Sequence, residues 1–226
     1  MAHFITGIPP EAMEFAKGAI GPDGCVTDEK KALSALSDYV IMYEEPLLLA
    51  DMCAFISGSD YEETSKKVEE LFAACPEFSY SERKMAVLSA LSDCFYENDE
   101  LNFTGFLYFR LSDYESLLFT GVNAAFGEVI INREYERSCR EIKSFVENKK
   151  SMVKEAHIYG FSVFDENGEE IKNEDSELFS DDFFTEGDRL LALLISSSPK
   201  RIFIHIPPDG ETLATVKKIF PLLIYS

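Results

Sequence analysis

Hydrophobic positions follow helical spacing to about residue 150 and strand spacing beyond it. Residues 2–8 (AHFITGI) read as a short strand. Pro9-Pro10 then lead into a first helix over 11–19, with prolines at its entry. After the breaker Gly21-Pro22-Asp23-Gly24, Thr27 or Asp28 caps a helix over 29–43 that buries Leu33, Leu36, Val40 and Tyr43. The nearly continuous apolar run 47–56, between Pro46 and Gly58, reads as a buried helix. Ser59-x-x-Glu62 and Ser79-x-x-Glu82 match capping boxes, in which a hydroxyl and a carboxylate satisfy opposing backbone N–H groups. They open a helix to about residue 74, with Val68, Leu71 and Phe72 inward, and another over 81–96. Met85, Leu88, Leu91 or Ser92, and Phe95 line one face of the second. The acidic run Glu97-Asn98-Asp99-Glu100 breaks this pattern and marks a boundary.

The stretch 101–114 (LNFTGFLYFRLSDY) is dense in aromatic residues and carries one cation, Arg110. It begins a wide stripe through Phe103, Phe106, Tyr114, Leu118 and Ala125. The spacing predicts continuity through Ser112, although Ser112-x-x-Glu115 also fits a helix that restarts there. Gly127 permits a bend. A second seam (Ile131, Tyr135, Cys139, Ile142, Phe145, Val146) then predicts an antiparallel helical hairpin.

After Lys149-Lys150 the period becomes two. Residues 155–164 (EAHIYGFSVF) read as a strand. Asp165-Glu166-Asn167-Gly168 reads as a hairpin turn, in which Asn-Gly supplies positive φ, and 169–172 return. Residues 173–182 are acidic and read as a loop. Thr185-x-x-Asp188 caps a helix over 186–197, and 201–206 (RIFIHI) is a strand. A helix over 211–220 then leads to a last strand over 222–225, a pattern that predicts a parallel crossover. The predicted class is α+β: a mainly helical 1–100, a helical hairpin over 101–150, and a small mixed α/β sheet over 151–226. All three parts together also fit one compact domain.

Composition narrows the partners. The 226 residues include 41 acids and 21 bases, for a formal charge of −20. That charge repels phosphate backbones and anionic lipid surfaces and favours a basic protein partner. Basic residues cluster only in pairs, so no nucleic-acid partner is expected. No run approaches the ~18 apolar residues of a spanning helix, so no membrane association is expected either. The first fifteen residues lack a basic region followed by a long apolar run, and are not read as a signal peptide. Five cysteines without a C-x-x-C pair read as free, mostly buried thiols in a reducing compartment, which points to the cytoplasm.

Several short motifs occur in a fixed order. They are N-x-x-G-F-x-x-F-R-L-x-x-Y (Asn102, Gly105, Phe106, Phe109, Arg110, Leu111, Tyr114) and E-I-x-x-F-V (Glu141, Ile142, Phe145, Val146). F-x-x-x-G-x-E-I over 164–171, S-P-K-R-I-x-I-H over 198–205 and T-V-K-K-I-F over 215–220 follow. Over about 100–226 this order resembles the YtxC-like family of sporulation proteins from endospore-forming bacteria. The resemblance implies an association with sporulation. It brings no activity, ligand or catalytic residue.

Candidate chemistry is sparse. His157 and His205 both fall in predicted strands, where a pair of histidines suits metal ligation or acid–base work. Their spacing matches no metal motif, and a hydrogen-bonded structural histidine is the competing reading. Asp209 opens a helix directly after a strand, where open α/β sheets bind ligands, but an ordinary capped turn also fits. Arg110 reads as a buried arginine paired with an acid, or as an anchor for a partner's carboxylate. Arg110, His205 and Asp209 are therefore the candidate binding residues, with no metal and no cofactor expected. The chain is expected to be a non-enzymatic protein-interaction or regulatory module. The alternative is a small-ligand-binding protein or enzyme whose site lies at the strand ends near His205 and Asp209.

Overall fold

The computed structural model describes residues 3–98, 100–172, 184–221 and 224–225. It is an α+β structure, mainly helical, with a small sheet near the C-terminus. The chain divides into two compact units, Met1–Ile131 and Asn132–Ser226.

In the first unit, β1 (Phe4–Thr6) pairs in parallel with β2 (Glu100–Asn102). The helices are α1 (Pro10–Phe15), α2 (Glu29–Tyr39), α3 (Glu45–Ser57), α4 (Tyr61–Ala74), α5 (Tyr80–Glu97), α6 (Phe103–Phe109) and the start of α7 (Ser112–Asn148). Asp28, not Thr27, caps α2, accepting the Lys31 N–H at 3.2 Å. Ser79 caps α5 as its sequence predicts. Ser59 caps nothing, because a 3-10 turn over Gly58–Asp60 takes that position.

Other expectations change as well. The apolar run in α3 is not a buried helix: Leu47 is 64% and Phe55 82% exposed. Leu49, Met52 and Ile56 pack toward a core of Cys53, Val68, Val122 and Ala125. A uniformly apolar run cannot report which side of a helix meets the core. On α5, Val87, Leu91, Cys94 and Phe95 are buried, whereas Met85 is exposed. Residues 100–102 form a strand that no local pattern announces. The five cysteines are free thiols, with Cys53, Cys94 and Cys139 buried.

The hairpin expected over 101–150 is a short helix, α6, followed by one helix of 37 residues, α7. The helix restarts at Ser112 and passes through Gly127 without a break. Leu118, Val122, Ala125 and Val129 are buried near its start; 130–138 are all exposed. Cys139 and Val146 are buried near its end. Two apolar seams on one helix, each serving its own unit, carry the same spacing as two helices.

A buried polar cluster joins α3, α5 and α7. Glu45, 5% exposed, accepts a hydrogen bond from Arg83 Nε at 2.8 Å and another from the Tyr114 hydroxyl. Arg83 also donates to the Phe78 carbonyl and lies over the Phe72 ring at 5.0 Å. Gly121 of α7 faces the stacked rings of Phe72 and Phe78, and a Cβ there would meet Phe72 at 2.4 Å. Glu45 follows a π-helical turn over Val40–Glu44, a widened turn that re-aims the residues after it.

The second unit is a four-stranded sheet with helices on one face. Its strands are β3 (Glu155–Tyr159), β4 (Ser162–Phe164), β5 (Arg201–Ile206) and β6 (Ile224–Tyr225), in the order β4-β3-β5-β6. β3 runs antiparallel to β4 and parallel to β5, and β5 runs parallel to β6. The helix between β5 and β6, α9 (Gly210–Ile219), makes the predicted crossover. The strand predicted over 155–164 is instead a hairpin. Gly160, with φ of 64°, takes the first position of a two-residue turn that glycine permits. The acidic 173–182 loop lies outside the described residues. Helix α8 (Glu186–Ser197) carries the predicted capping box of Thr185 and Asp188. Ala156, Ile158, Val163 and Ile202 pack with Val146, Leu190, Leu194, Val216, Ile219 and Phe220 in this unit's core.

Removing one member of a buried ion pair leaves the other uncompensated, which costs about 3–5 kcal/mol. Glu45→Ala is therefore expected to lower the unfolding free energy of the first unit by that much in a urea titration. The double change Glu45→Leu with Arg83→Met is expected to recover most of it, with hydrogen exchange at α5 as the readout. Burial first, then the hydrogen bond to Glu45, pushes the Tyr114 phenol above its ordinary 10.0. The stabilisation this reflects is present below pH 10 and lost as pH rises beyond it. Tyr114→Phe is expected to flatten that alkaline decline in a pH series of thermal melts.

Candidate functional site

The second unit's sheet places its chemistry by period two. Ala156 and Ile158 of β3 and Ile202 of β5 point into the core. Glu155, His157 and Tyr159, with Arg201, Phe203 and His205, therefore share the opposite face. The parallel register sets Glu155 beside Arg201 and His157 beside Phe203. A register shift between Ile158 and Tyr159 then brings Tyr159 opposite Ile206.

The result is a chain of rings across three strands. Phe203 stacks on His157 at 5.0 Å between centroids and His205 on Tyr159 at 4.5 Å, while His157 and His205 meet edge to edge and nearly coplanar, 17° apart with centroids at 5.2 Å. Phe164 of β4 meets Tyr159 edge-on at 5.8 Å and 81°. Nδ1 of His157 and Nε2 of His205 are 2.9 Å apart, so one donates and the other accepts. Glu155 Oε2 lies 3.5 Å from His157 Nε2, while Glu155 Oε1 accepts from Arg201. Four consecutive contacts, one of them a histidine–histidine hydrogen bond, hold the rings as one surface.

Beside the rings lies an open groove of about 620 Å³, lined by His157, Tyr159, Ser162, Phe164, Asp165 and Glu166. Its acidic rim is built by the 165–168 turn. Asp165 Oδ1 accepts the N–H groups of Asn167 at 2.8 Å and Glu169 at 2.9 Å. Glu166 Oε2 accepts those of Lys154 at 3.1 Å and Glu155 at 3.4 Å. The bond from Glu169 first holds the Asp165 carboxyl below its ordinary range. The Glu166 carboxyl is lowered by its own backbone N–H first, then by those of Glu155 and Lys154.

The three residues singled out from sequence have different fates. His205 joins His157 in the ring chain. Asp209 is the N-cap of α9: its carboxylate accepts Thr212 N–H at 2.8 Å and Thr212 Oγ1 at 2.9 Å. It lines a polar cavity of about 350 Å³ with Tyr135, Thr185, Asp188, Glu211 and Thr212, and His205 is not among the lining residues. Arg110 belongs to the first unit. It is the C-cap of α6 and is exposed, not buried. Phe103 and Phe106 face the core, whereas Tyr108 and Phe109 are exposed beside it. A seven-residue helix buries one side, and the aromatic run extends onto the other. Tyr159, Phe164 and Phe203 were missed as site residues. The period-two pattern carried them, but the pairing of β3 with β5 and β4 was needed to see them converge.

The backbone N–H of Thr212, and then its hydroxyl, hold the Asp209 carboxyl below its ordinary 3.8. Its stabilisation is present above that value and lost as pH falls through the lowered one. Asp209→Ala is therefore expected to melt lower than the parent at pH 7. The two melts should converge as pH drops below 3.8 in a series followed by circular dichroism.

Among the described residues no helix is long and apolar enough to cross a membrane, and no three His, Cys, Asp or Glu residues group closely enough to hold a metal ion. No curated protein and no solved structure matches the chain. The model of the YtxC-like family matches residues 31–222, reaching upstream of the motif-bearing region to take in α2 through α5. With most of its length inside that match, the chain belongs to the YtxC-like family.

Proposed function

We propose that this chain is a non-enzymatic protein-interaction module of the cytoplasm, tied to sporulation, whose contact surface is the ringed face of the C-terminal sheet. The observation that carries the reading is the unbroken ring chain from Phe203 to Phe164, with Tyr159, His205 and Ile206 exposed. Rigid aromatic side chains give large contact area at little cost in conformational entropy, which is why Tyr and its kin dominate the centres of protein interfaces. The two histidines are engaged with each other and with their stacked neighbours. The net charge of −20 disfavours nucleic acid and favours a basic partner. Arg110, exposed beside Tyr108 and Phe109, is a second contact suited to an acidic group.

The ligand-binding or enzymatic reading draws on the cavity at Asp209. It is the weaker reading, because the Asp209 carboxylate is committed to capping α9 and His205 lies on the open sheet face.

The test is site-specific photocrosslinking in the producing cells, with a benzophenone amino acid in place of Tyr159, Ile206 or, as an exposed control, Lys66. The expected result is one shared protein adduct from positions 159 and 206 and none from 66. Absence of an adduct from the ringed face, or equal labelling from all three positions, would contradict the reading.

A further inference from the structure

We infer that the groove beside the β3–β4 hairpin receives an arginine side chain of the partner protein. This rests on the reading of the ringed face as a protein contact and names the chemistry it recognises.

The walls and the rim point to the same group. Tyr159 is 43% exposed, and Phe164 stands edge-on to it at 81°. His157 completes a wall of flat rings. A planar guanidinium stacks on such faces, through attraction to the ring quadrupole and through weak hydration that makes it easy to bring against apolar surface. A lysine ammonium is compact and strongly hydrated and gains less from the same wall. At the rim stand the carboxylates of Asp165 and Glu166.

Those carboxylates are already oriented. Asp165 takes backbone N–H groups on Oδ1 and the Asn167 side-chain amide on Oδ2 at 3.2 Å. Glu166 takes two backbone N–H groups on Oε2. A carboxylate offers about four acceptor positions, so each keeps capacity for a guanidinium N–H. The backbone bonds also keep both groups ionised into the acidic range. Arg201, a cation on this face, is paired with Glu155. Phosphate-bearing ligands would meet the same two anions and be repelled.

The experiment is an amide NMR titration of the isotope-labelled full chain. The probe is the peptide acetyl-Gly-Arg-Gly-Arg-Gly-amide, compared with its citrulline counterpart, which keeps the shape and loses the charge. The arginine peptide is expected to shift the amides of Tyr159, Ser162, Phe164 and 165–168. Affinity should be at least about tenfold weaker for the citrulline peptide, a difference of the size a desolvated cation–π contact supports. Glu166→Gln, which retains an acceptor for the backbone, and Tyr159→Leu should each weaken arginine binding comparably, with the remaining amide spectrum confirming the fold. Equal shifts from citrulline, shifts centred elsewhere, or no shifts at all would overturn the inference. If that happens while position 159 still yields its crosslink, arginine recognition fails and the contact surface stands. Groove shifts without any crosslink would keep the arginine preference and remove the partner-binding reading.

Discussion

Ala156, Ile158 and Ile202 are each fully buried, and on strands with a period of two that single constraint decides where the side chains of β3 and β5 go as far as the register shift after Ile158. A slip of one residue would put Glu155, His157 and Tyr159 into a core of Leu, Ile and Val. Desolvating a carboxylate and an imidazole there would cost far more than any ring contact returns. The core therefore selects the register, and the register assembles the ring chain. The rings in turn reinforce the pairing, since each cross-strand contact favours the same alignment. The candidate surface is in this sense a by-product of packing on the other side of the sheet.

The first unit solves a different problem. It buries a charge. Glu45, Arg83 and Tyr114 come from α3, α5 and α7, and their mutual hydrogen bonds set the rotation of each helix about its axis. A hydrophobic replacement of the pair can be as stable or more so, so its contribution is to specify one arrangement more than to add stability. The π-helical turn before Glu45 and the glycine at 121 fit the same picture. One re-aims the carboxylate, and the other leaves room for the Phe72 and Phe78 rings stacked beside it.

What the sequence revealed follows the range of the interactions involved. Caps at Asp28, Ser79, Thr185 and Asp209 were legible because a cap is decided within four residues. The α8 and β5 boundaries and the parallel crossover were legible for the same reason, from local period and turn residues. The long α7 was not, because two apolar seams separated by an exposed stretch look like two helices until each seam's partner is known. Strand β2 was invisible because its partner is β1, almost a hundred residues away. At the candidate site the two histidines stood out by type. Tyr159, Phe164 and Phe203 did not, since aromatic residues on strands are ordinarily core. For Arg110 the buried alternative fails by the reverse error, an aromatic neighbourhood taken for burial, and the exposed-anchor alternative remains.

Central to the proposed function is a partner that covers the ringed face in the cell. Hydroxyl-radical footprinting measures this directly, by comparing side-chain oxidation in intact cells with that of the purified chain. Tyr159, Phe164 and His205 are expected to be protected in cells while exposed Phe55 and Met85 oxidise alike in both. Equal oxidation of the three ring residues in cells and in isolation would contradict it.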